Sequence, residues 1–303
     1  MSVKKIGLIG LDTSHVVVFT QILNDPANEL FIDAPARVTT GYPGGSPDFP
    51  LSIDRVEGFT KRLEETYGVR IVGSPEEVAE QSDAVFLTSV DGRVHLEQFR
   101  AIAPYGKPVF IDKPLALRGD EAKQIFEIAQ HYGIPCMSSS TRRYARALVE
   151  ELGNEEKGRI LGAEVYGIID FMPTQTGWFW YGIHNVEVLY TILGTGCMTV
   201  TAYAQGNHEV IVGVWADGRV GVVRGNPHPN SGNGALIHRE KGTVYVDTAP
   251  SGMANYAELV KQVLKMFETG VAPVPAQETI EIIRFIEAAN ESRTSGKTVA
   301  LYF

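Results

Sequence analysis

The sequence predicts an α/β protein of two domains: a doubly wound parallel sheet, then an α+β domain with a large, open, mostly antiparallel sheet. Three observations carry this prediction. The first half of the chain alternates short apolar runs with helical patterns, as repeated β-α-β units do. Its strands are apolar throughout, which is typical of parallel strands buried on both faces. After about residue 140, strand patterns follow one another across tight turns. We therefore expect domains over residues 1–138 and 139–303.

The elements of the first domain can be placed in order. Strands are predicted at residues 6–10, 36–40, 69–72, 84–88, 108–111 and 135–138. Apolar residues recur at helical spacing within residues 14–23, 56–67 and 122–129. Ser74, followed by a proline and by Glu77, marks a further helix start, and another helix ends near Tyr105. After the second strand, GYPGGSPDFP (41–50) is a turn-rich loop.

The second domain has a different texture. Strand patterns occupy residues 162–170, 199–206, 209–225 and 243–248, and VALYF (299–303) is a short final strand. Asp217-Gly218 divides the longest of these runs and is a hairpin signal. Two helical stretches lie at about 255–268 and 277–295. We expect a binding site in the crevice between the two domains.

Composition and charge exclude several classes of protein. The formal net charge of −9 argues against binding to nucleic acid or to an anionic membrane. The N-terminus leads directly into a strand pattern rather than a secretory signal, and no apolar stretch approaches the length of a bilayer span. The two cysteines, Cys136 and Cys197, are not in a metal-type spacing, and two cysteines are too few for a disulfide framework. We therefore expect a protein of the reducing cytoplasm.

The segment KIGLIGLDTSHVVVF (4–18) joins the first strand to the first helix, as in a nucleotide-binding turn. Gly10 fits the tight turn of G-x-G-x-x-G, but Asp12 and His15 stand where the second and third glycines would be. Asp12 would place a negative charge near phosphates, or it could point away and cap the helix. The helix start still offers backbone amides and hydroxyl groups to phosphates. We expect a dinucleotide to contact Gly10, Leu11, Asp12, Thr13 and Ser14.

The end of the second strand normally carries an acid that reads the ribose of the cofactor. Here the strand runs Val38-Thr39-Thr40-Gly41-Tyr42-Pro43, without an acid or an adjacent arginine. Thr40 and Tyr42, or Ser46, are candidates to contact the ribose instead. The choice between NAD and NADP stays open.

The segment PVFIDKPLA (108–116) ends a strand in Asp112-Lys113-Pro114. Ligands of doubly wound sheets bind beyond the carboxyl ends of the strands, so Lys113 is expected to project into the binding crevice. Pro114 restricts the backbone of Lys113 and can adopt a cis bond. We favour a functional lysine over a solvated lysine at a strand end.

The segment TGWFWYGIHNVEVLYTILG (176–194) is rich in aromatic residues and then becomes helical. His184 lies at the start of this helix, where a neutral imidazole could take a proton from an alcohol or simply be a core histidine. Glu187 lies one helical turn further on, but no third metal ligand is in view, so we expect no metal site. The aromatic residues could stack on a sugar or pack in the core: Trp178, Phe179, Trp180 and Tyr181.

Four features occur in a particular order along nearly the whole chain. They are a strand–Gly–helix start, D-K-P at a strand end, G-x-H at a helix start, and IEAANESRTSGKTVAL (286–301). This set resembles the glucose-fructose oxidoreductase / inositol dehydrogenase / rhizopine-catabolism family, known as Gfo/Idh/MocA. The resemblance implies an N-terminal Rossmann domain and a C-terminal sheet that often forms the oligomer interface, here a homodimer or homotetramer. It also implies oxidation or reduction of a sugar, cyclitol or related polyol with NAD or NADP.

The resemblance also implies roles for individual residues. Asp112, Lys113 and Pro114 match the family's [E/D]-K-P signature, whose lysine contacts the reacting hydroxyl and the cofactor. His184 matches the family's general base, while Trp180 stands where the family has an aspartate, and Asp170 or Glu187 could compensate. The resemblance places Thr88 and Ser89 at the cofactor pocket and gives His95 a packing role. It places Arg142 and Arg143 near the cleft, where either could bind an acidic substrate group or be a solvated charge.

Together these observations predict an NAD(P)-dependent dehydrogenase with Lys113 and His184 as catalytic residues. Substrate is expected to contact Lys113, Arg143, Trp178, Trp180 and His184. The altered glycine loop and the missing aspartate motivate a non-catalytic nucleotide- or sugar-binding sensor as the alternative. A lyase or hydrolase that retains NAD is a further possibility. The sequence does not identify the polyol.

Overall fold

The computed structural model describes residues 3–206, 208–230, 232–249 and 253–301. Its chain forms two compact units. The first is made of Met1–Ala116, Asp120–Ser139 and Gly252–Ala276, and the second of Leu117–Gly119, Ser140–Ser251 and Gln277–Phe303. Each unit contains one sheet.

The first unit is built on a six-stranded parallel sheet in the order β3-β2-β1-β4-β5-β6. Its strands are β1 (Lys4–Ile9), β2 (Ala36–Tyr42), β3 (Arg70–Ile71), β4 (Ala84–Leu87), β5 (Val109–Ile111) and β6 (Cys136–Ser138). The order reverses at β1, where the chain crosses from one half of the sheet to the other. The predicted doubly wound sheet is thereby confirmed, and the carboxyl ends of β1, β4 and β5 lie side by side at its centre.

Helices connect these strands much as their apolar spacing predicts. They are α1 (His15–Asn24), α2 (Pro50–Tyr67), α3 (Pro75–Gln81), α4 (His95–Ile102) and α5 (Gly119–His131). The Ser74 hydroxyl accepts a hydrogen bond from the Glu77 N–H at 3.2 Å, so the capping prediction is confirmed. The turn-rich loop is shorter than predicted, because β2 continues to Tyr42 and α2 already begins at Pro50.

The second unit contains a seven-stranded mixed sheet in the order β12-β11-β7-β10-β9-β8-β13. Its strands are β7 (Ile160–Ile168), β8 (Cys197–Gln205), β9 (His208–Trp215), β10 (Val220–Asn226), β11 (Gly234–Arg239), β12 (Gly242–Asp247) and β13 (Val299–Ala300). Its helices include α6 (Arg146–Leu152) and α7 (Gly182–Leu193). Among the described residues of this sheet, only β7 and β10 pair in parallel, so the prediction of a mostly antiparallel sheet is confirmed. The sequence analysis missed β11. Of the predicted last strand, residues 302 and 303 lie outside the described residues.

Two long helices close the chain: α8 (Ala254–Thr269) and α9 (Ala276–Ser295). The predicted single boundary assigns α8 to the second domain, but α8 lies with the first unit. The Lys4 ammonium donates to the Phe267 carbonyl at 2.9 Å, and the rings of Phe267 and Phe86 meet with centroids 5.7 Å apart. Because the apolar face of α8 is buried against the first unit, α8 belongs to that unit, and α9 then begins in the second.

The sheet of the second unit has one covered face and one open face. Side chains such as Val165, Ile211, Val223 and Ile237 are fully buried on the covered face, against which α7 packs. One row across the open face consists of directly paired residues: Tyr245, Leu236, Glu164, Val222, Val212 and Thr201. Several large apolar side chains of the open face are exposed, among them Val214 and Tyr245.

None of the helices in the described part of the chain combines the length and apolar character needed to cross a membrane.

Candidate active site

The turn after β1 depends on Gly10. Its φ of +87° lies in the region that favours glycine, and an added Cβ would be 2.4 Å from the backbone of Ser89. The Gly10 N–H donates to the Tyr42 carbonyl at 2.9 Å, and the Leu11 N–H donates to the Pro43 carbonyl at 2.7 Å. The turn is therefore held between the ends of β2 and β4.

Asp12 points into the protein rather than toward the mouth of this turn. It is 1% exposed. Its Oδ2 accepts the Ser52 hydroxyl at 2.5 Å, its Oδ1 accepts the Val90 N–H at 2.9 Å, and the Ser52 oxygen accepts the Ser46 N–H at 2.8 Å. Burial raises the pKa of the Asp12 carboxyl, and these hydrogen bonds oppose the rise. Asp12 therefore points away from the turn, as one of the two interpretations held, but the N-cap of α1 is Ser14 rather than Asp12.

The N-cap of α1 is Ser14. Its side chain is exposed and makes no capping hydrogen bond. Thr13 is buried, and its hydroxyl accepts the His15 N–H at 3.4 Å. Ser14 and the first turn of α1 therefore present polar groups at the carboxyl end of β1, the position of a Rossmann phosphate site.

The other predicted cofactor contacts are mostly buried hydroxyls. Thr40 is buried, whereas Tyr42 is half-buried at the end of β2. The Thr88 hydroxyl donates to the Gly10 carbonyl at 2.9 Å, and the Ser89 hydroxyl donates to Gln98 Oε1 at 2.8 Å. Thr88 is thereby bonded to the Gly10 turn and Ser89 to α4, and their contact with the cofactor stays a prediction.

Lys113 follows β5, next to a buried carboxylate. The Asp112 N–H continues the sheet by donating to the Leu87 carbonyl at 2.8 Å. Asp112 Oδ1 accepts the Lys113 N–H at 2.9 Å, and Asp112 Oδ2 lies 2.5 Å from His15 Nδ1. Burial would raise the pKa of Asp112, but the neighbouring His15 and Lys113 outweigh it and hold that pKa below its usual value. The Lys113–Pro114 bond is cis, and Lys113 is half-buried.

His184 occupies the first turn of α7 in the second unit. Its Nδ1 lies 2.7 Å from the Ser140 hydroxyl, which also accepts the Arg142 N–H at 3.2 Å. Two residues before His184, position 182 leaves room only for glycine, because a Cβ there would lie 2.5 Å from the Trp178 ring. The hydroxyl of Ser140 therefore holds the imidazole from its Nδ1 side, a partner that sequence reasoning missed because 44 residues separate the two.

The aromatic run before α7 packs mainly in the core. Trp178 is 0% exposed, and its indole N–H donates to Glu209 Oε2 at 2.7 Å. Trp180 is also buried, while Tyr181 is 38% exposed. The predicted sugar-stacking role is corrected for Trp178, whose ring has no exposed face, and loses support for Trp180.

Arg143 lies among carboxylates. Its Nε donates to Glu187 Oε1 at 2.7 Å, and it also donates to Glu278. Burial would lower the pKa of Arg143, but the charges of Glu187 and Glu278 outweigh it and hold that pKa above its usual value. Arg143 is therefore not a solvated charge, and an acidic substrate group would have to compete there with two carboxylates. Within the described ranges, no group of three or more His, Cys, Asp or Glu side chains could hold a metal ion.

Comparison with known proteins agrees with this architecture. Residues 52–140 match the sequence model described as "Oxidoreductase family, NAD-binding Rossmann fold" (GFO_IDH_MocA). An inositol 2-dehydrogenase from Cereibacter sphaeroides is 40% identical over 83 residues, which span 27% of this chain and 25% of that relative.

Solved structures resemble the chain over nearly its full length. A myo-inositol 2-dehydrogenase from Lactobacillus plantarum has a TM-score of 0.81 at 16% identity, covering 99% of each chain. A scyllo-inositol dehydrogenase from Lactobacillus casei, solved with NAD(H) and scyllo-inositol, has a TM-score of 0.79 at 14% identity over 99% of each chain. At these identities the likeness shows the fold alone. Residues 52–140 are therefore similar to the NAD-binding Rossmann fold of the Gfo/Idh/MocA oxidoreductases.

Proposed function

We propose that this protein is a nicotinamide-dependent dehydrogenase acting on a hydroxyl group of a cyclitol or related polyol. The observation that carries the proposal is the orientation of Asp12. Its carboxylate is buried against Ser52 and the Val90 N–H, so the departure from the glycine pattern adds no acidic side chain at the phosphate position. The chain thus keeps a turn that fits a dinucleotide, next to the strand end that carries Lys113.

The residues present fit a dinucleotide. The pyrophosphate would lie against the Gly10 turn and the first turn of α1, where Ser14 offers an exposed hydroxyl and the helix dipole favours negative charge. Tyr42, at the end of β2, is the remaining candidate to contact the ribose. We propose NAD as the cofactor, in line with the NAD(H) bound to the Lactobacillus casei relative. The nicotinamide would supply the hydride chemistry.

Two side chains would act on the substrate oxygen. Lys113 would donate a hydrogen bond to the reacting hydroxyl from the carboxyl end of β5. His184, held at Nδ1 by Ser140, would accept the hydroxyl proton through Nε2. The family's aspartate position is Trp180 in this chain, and here the Ser140 hydroxyl would orient the imidazole.

A neutral substrate fits the charges better than an acidic sugar does. Arg143 is matched by Glu187 and Glu278, and the Arg142 guanidinium donates to the side-chain oxygens of Asn185 and Asn233 at 2.9 Å and 2.6 Å. Binding a carboxylate substrate at Arg143 would break a buried ion pair, which is costly. This supports a neutral polyol, and the inositol dehydrogenases among the relatives support a cyclitol.

The first test is a calorimetric titration of the purified protein with NADH and NADPH, after assaying for cofactor carried through purification. A screen of inositol isomers and other polyols, followed by nicotinamide absorbance, comes next. Turnover of a cyclitol that is lost in Lys113→Ala would support the proposal. Binding without turnover would favour a sensor, and product formation without net cofactor reduction would favour a lyase or hydrolase that retains NAD.

We further propose that the protein forms a homodimer or homotetramer through the open face of the second unit's sheet. Val214 and Val220 are directly paired on that face, and Tyr203 and Tyr245 are exposed there. An exposed apolar patch of this kind is typical of interaction surfaces. Light scattering of the wild type and of Val214→Glu tests this: a monomeric wild type contradicts it, and dissociation of the variant supports it.

We also propose the cytoplasm as its compartment. Cys136 and Cys197 are both free and buried, as expected of thiols in a reducing compartment. Fractionation of cells that express the protein at native level tests this, and recovery outside the cytoplasm would contradict it.

A further inference from the structure

A chain of hydrogen bonds leads from α8 to the backbone of Lys113. The Tyr256 hydroxyl lies 3.0 Å from His15 Nε2, and His15 Nδ1 lies 2.5 Å from Asp112 Oδ2. The other oxygen of Asp112 accepts the Lys113 N–H at 2.9 Å. All four residues belong to the first unit, in which α1, α8 and the end of β5 supply them.

The surroundings hold His15 in one orientation. Its side chain is 13% exposed and that of Asp112 is 5% exposed. The His15 ring makes an edge contact with Tyr256, with centroids 5.1 Å apart, and lies 5.8 Å from the Phe19 ring. Both ring nitrogens meet a polar atom while the ring packs against aromatic side chains. A polar group that is largely buried and has a partner at each polar atom specifies geometry more strongly than an exposed pair does.

Asp112 needs these partners because it is buried. An isolated buried carboxylate is costly, whereas one that accepts two hydrogen bonds can stay ionised. With Nδ1–H facing Asp112, a neutral His15 accepts the Tyr256 hydroxyl at Nε2; a protonated His15 donates to it instead. The phenol therefore suits both charge states of His15, and the carboxylate keeps its donor in each.

We propose that His15 and Tyr256 are positioning residues, which hold Asp112 so that its second oxygen fixes the backbone of Lys113 and hence the direction of the amine. A histidine stands where the Rossmann pattern has its third glycine, a position normally kept small for close packing of helix and strand. In this chain, the first turn of α1 is tied to the end of β5 by a hydrogen bond instead. The positioning itself is a property of the first unit, whereas its effect on turnover rests on the proposed function.

The test follows Lys113 directly in the cofactor-free, full-length protein. Lysines are reductively methylated with ¹³C-formaldehyde, and the dimethyl-Lys113 signal is assigned by its absence in Lys113→Arg. Its chemical shift, line width and pH titration are compared among the wild type, His15→Ala, His15→Asn and Tyr256→Phe. The charged and titratable groups in this network include His15 from α1, Tyr256 from α8, Asp112, and Lys113 itself.

The control is Thr20→Ala. Thr20 is a buried residue of α1 whose hydroxyl donates to the Val16 carbonyl at 2.7 Å. This variant removes a buried hydrogen bond from the same helix and leaves the network intact. It therefore separates loss of stability from loss of positioning, and thermal unfolding of every variant measures the stability.

We expect His15→Ala to shift and broaden the Lys113 signal and to change its titration midpoint. His15→Asn, whose amide can still donate to Asp112, should restore part of the wild-type signal, and Tyr256→Phe should change it least. Thr20→Ala should leave it unchanged. An unaltered Lys113 signal in folded His15→Ala or, if that variant does not fold, in both His15→Asn and Tyr256→Phe, overturns the proposal.

Kinetics separate this inference from the proposed function. With a polyol that is turned over, His15→Ala should lower kcat on the order of tenfold while the Kd for NADH stays within about threefold of wild type. The absence of turnover in every protein, wild type included, would refute the dehydrogenase. The Lys113 signal would still decide whether His15 positions it.

Discussion

The Gly10 turn and the first turn of α7 both depart from the pattern of the family that the chain resembles, but the two departures have different surroundings. At the Gly10 turn, Asp12 and His15 replace glycines and gain new polar partners inside the first unit. At the start of α7, Trp180 stands where the family that the chain resembles has an aspartate, and His184 Nδ1 faces the Ser140 hydroxyl. The first region has polar side chains where the pattern has glycines and pairs them inside the unit, whereas the second has a neutral hydroxyl beside the histidine.

This comparison shows that a departure from a sequence motif does not by itself remove the binding site. A polar residue at a glycine position is harmless when neighbouring loops can bury and satisfy it, as Ser52 and the Val90 N–H do for Asp12. A lost carboxylate is harder to replace, because a hydroxyl orients an imidazole but does not stabilise its protonated form by charge. We therefore expect the Gly10 turn to matter most for stability and the α7 turn for catalysis.

The largest expected effect is on turnover, from removing either proposed catalytic side chain. Lys113→Ala and His184→Ala should each lower kcat/KM about a hundredfold or more, since positioned proton donors and acceptors contribute at least that much. Steady-state kinetics with the polyol found in the screen measures this, with circular dichroism to verify the fold. Unchanged turnover in both folded variants would contradict the roles of these residues.

The second prediction concerns a return to the family sequence at the Gly10 turn. Asp12→Gly restores the glycine of the pattern but leaves Ser52 and the Val90 N–H without their acceptor. We expect the free energy of unfolding to fall by about 1–3 kcal/mol, the cost of leaving buried donors unsatisfied. Urea denaturation measures it.

Asp12→Ala is the matched control for that variant. It removes the same hydrogen bonds without the added backbone freedom of glycine, which by itself costs about 0.4–1 kcal/mol. If Asp12→Gly is as stable as the wild type, the carboxylate contributes nothing to this turn, and the comparison between the two regions fails.

The third prediction tests the neutral partner of His184. Ser140→Ala removes the group at Nδ1, and the imidazole loses its fixed orientation. We expect kcat to fall on the order of tenfold with little change in NADH binding, because misplacing a catalytic group costs rate rather than cofactor affinity. Ser139→Ala, which alters the adjacent buried serine, is the control, and an equal loss in both variants would point to packing alone.

The smallest effects are expected in the pH dependence of stability, where the two buried aspartates should behave oppositely. Asp112 has a lowered pKa, so its stabilising contribution is present above 3.8, its usual value, and is lost as the pH falls through the lowered value. Asp12 has a raised pKa, so its native state loses stability relative to the unfolded state as the pH rises above 3.8.

Urea denaturation at a series of acidic pH values, with Asp112→Asn and Asp12→Asn, measures these contributions. The advantage of the wild type over Asp112→Asn should shrink as the pH falls below 3.8. Its advantage over Asp12→Asn should shrink as the pH rises above 3.8. The same trend in both variants would show that the two carboxylates are not in opposite environments.

Much of the fold could be predicted because its signals are local. Continuous apolar strands and helical spacing placed nearly every element of the first unit, and Asp217-Gly218 lies at the turn between β9 and β10, where the Gly218 N–H donates to the Trp215 carbonyl at 2.9 Å. β11 was missed because it carries no turn signal as clear as that one. α8 was assigned to the wrong unit, because an amphipathic helix does not specify which apolar surface it will cover.

In the candidate site, too, the positions of residues along the chain could be predicted, but the orientations of their side chains could not. The sequence alone determined where the turn, the lysine and the histidine stand along the chain, since Gly10 follows one apolar strand pattern and Lys113 follows another. Only the tertiary structure decided where the side chains point. Asp12 meets a partner 40 residues away and His15 meets one 241 residues away. A local pattern cannot contain such partners, because a buried polar group takes its orientation from whichever donors and acceptors the folded chain brings beside it.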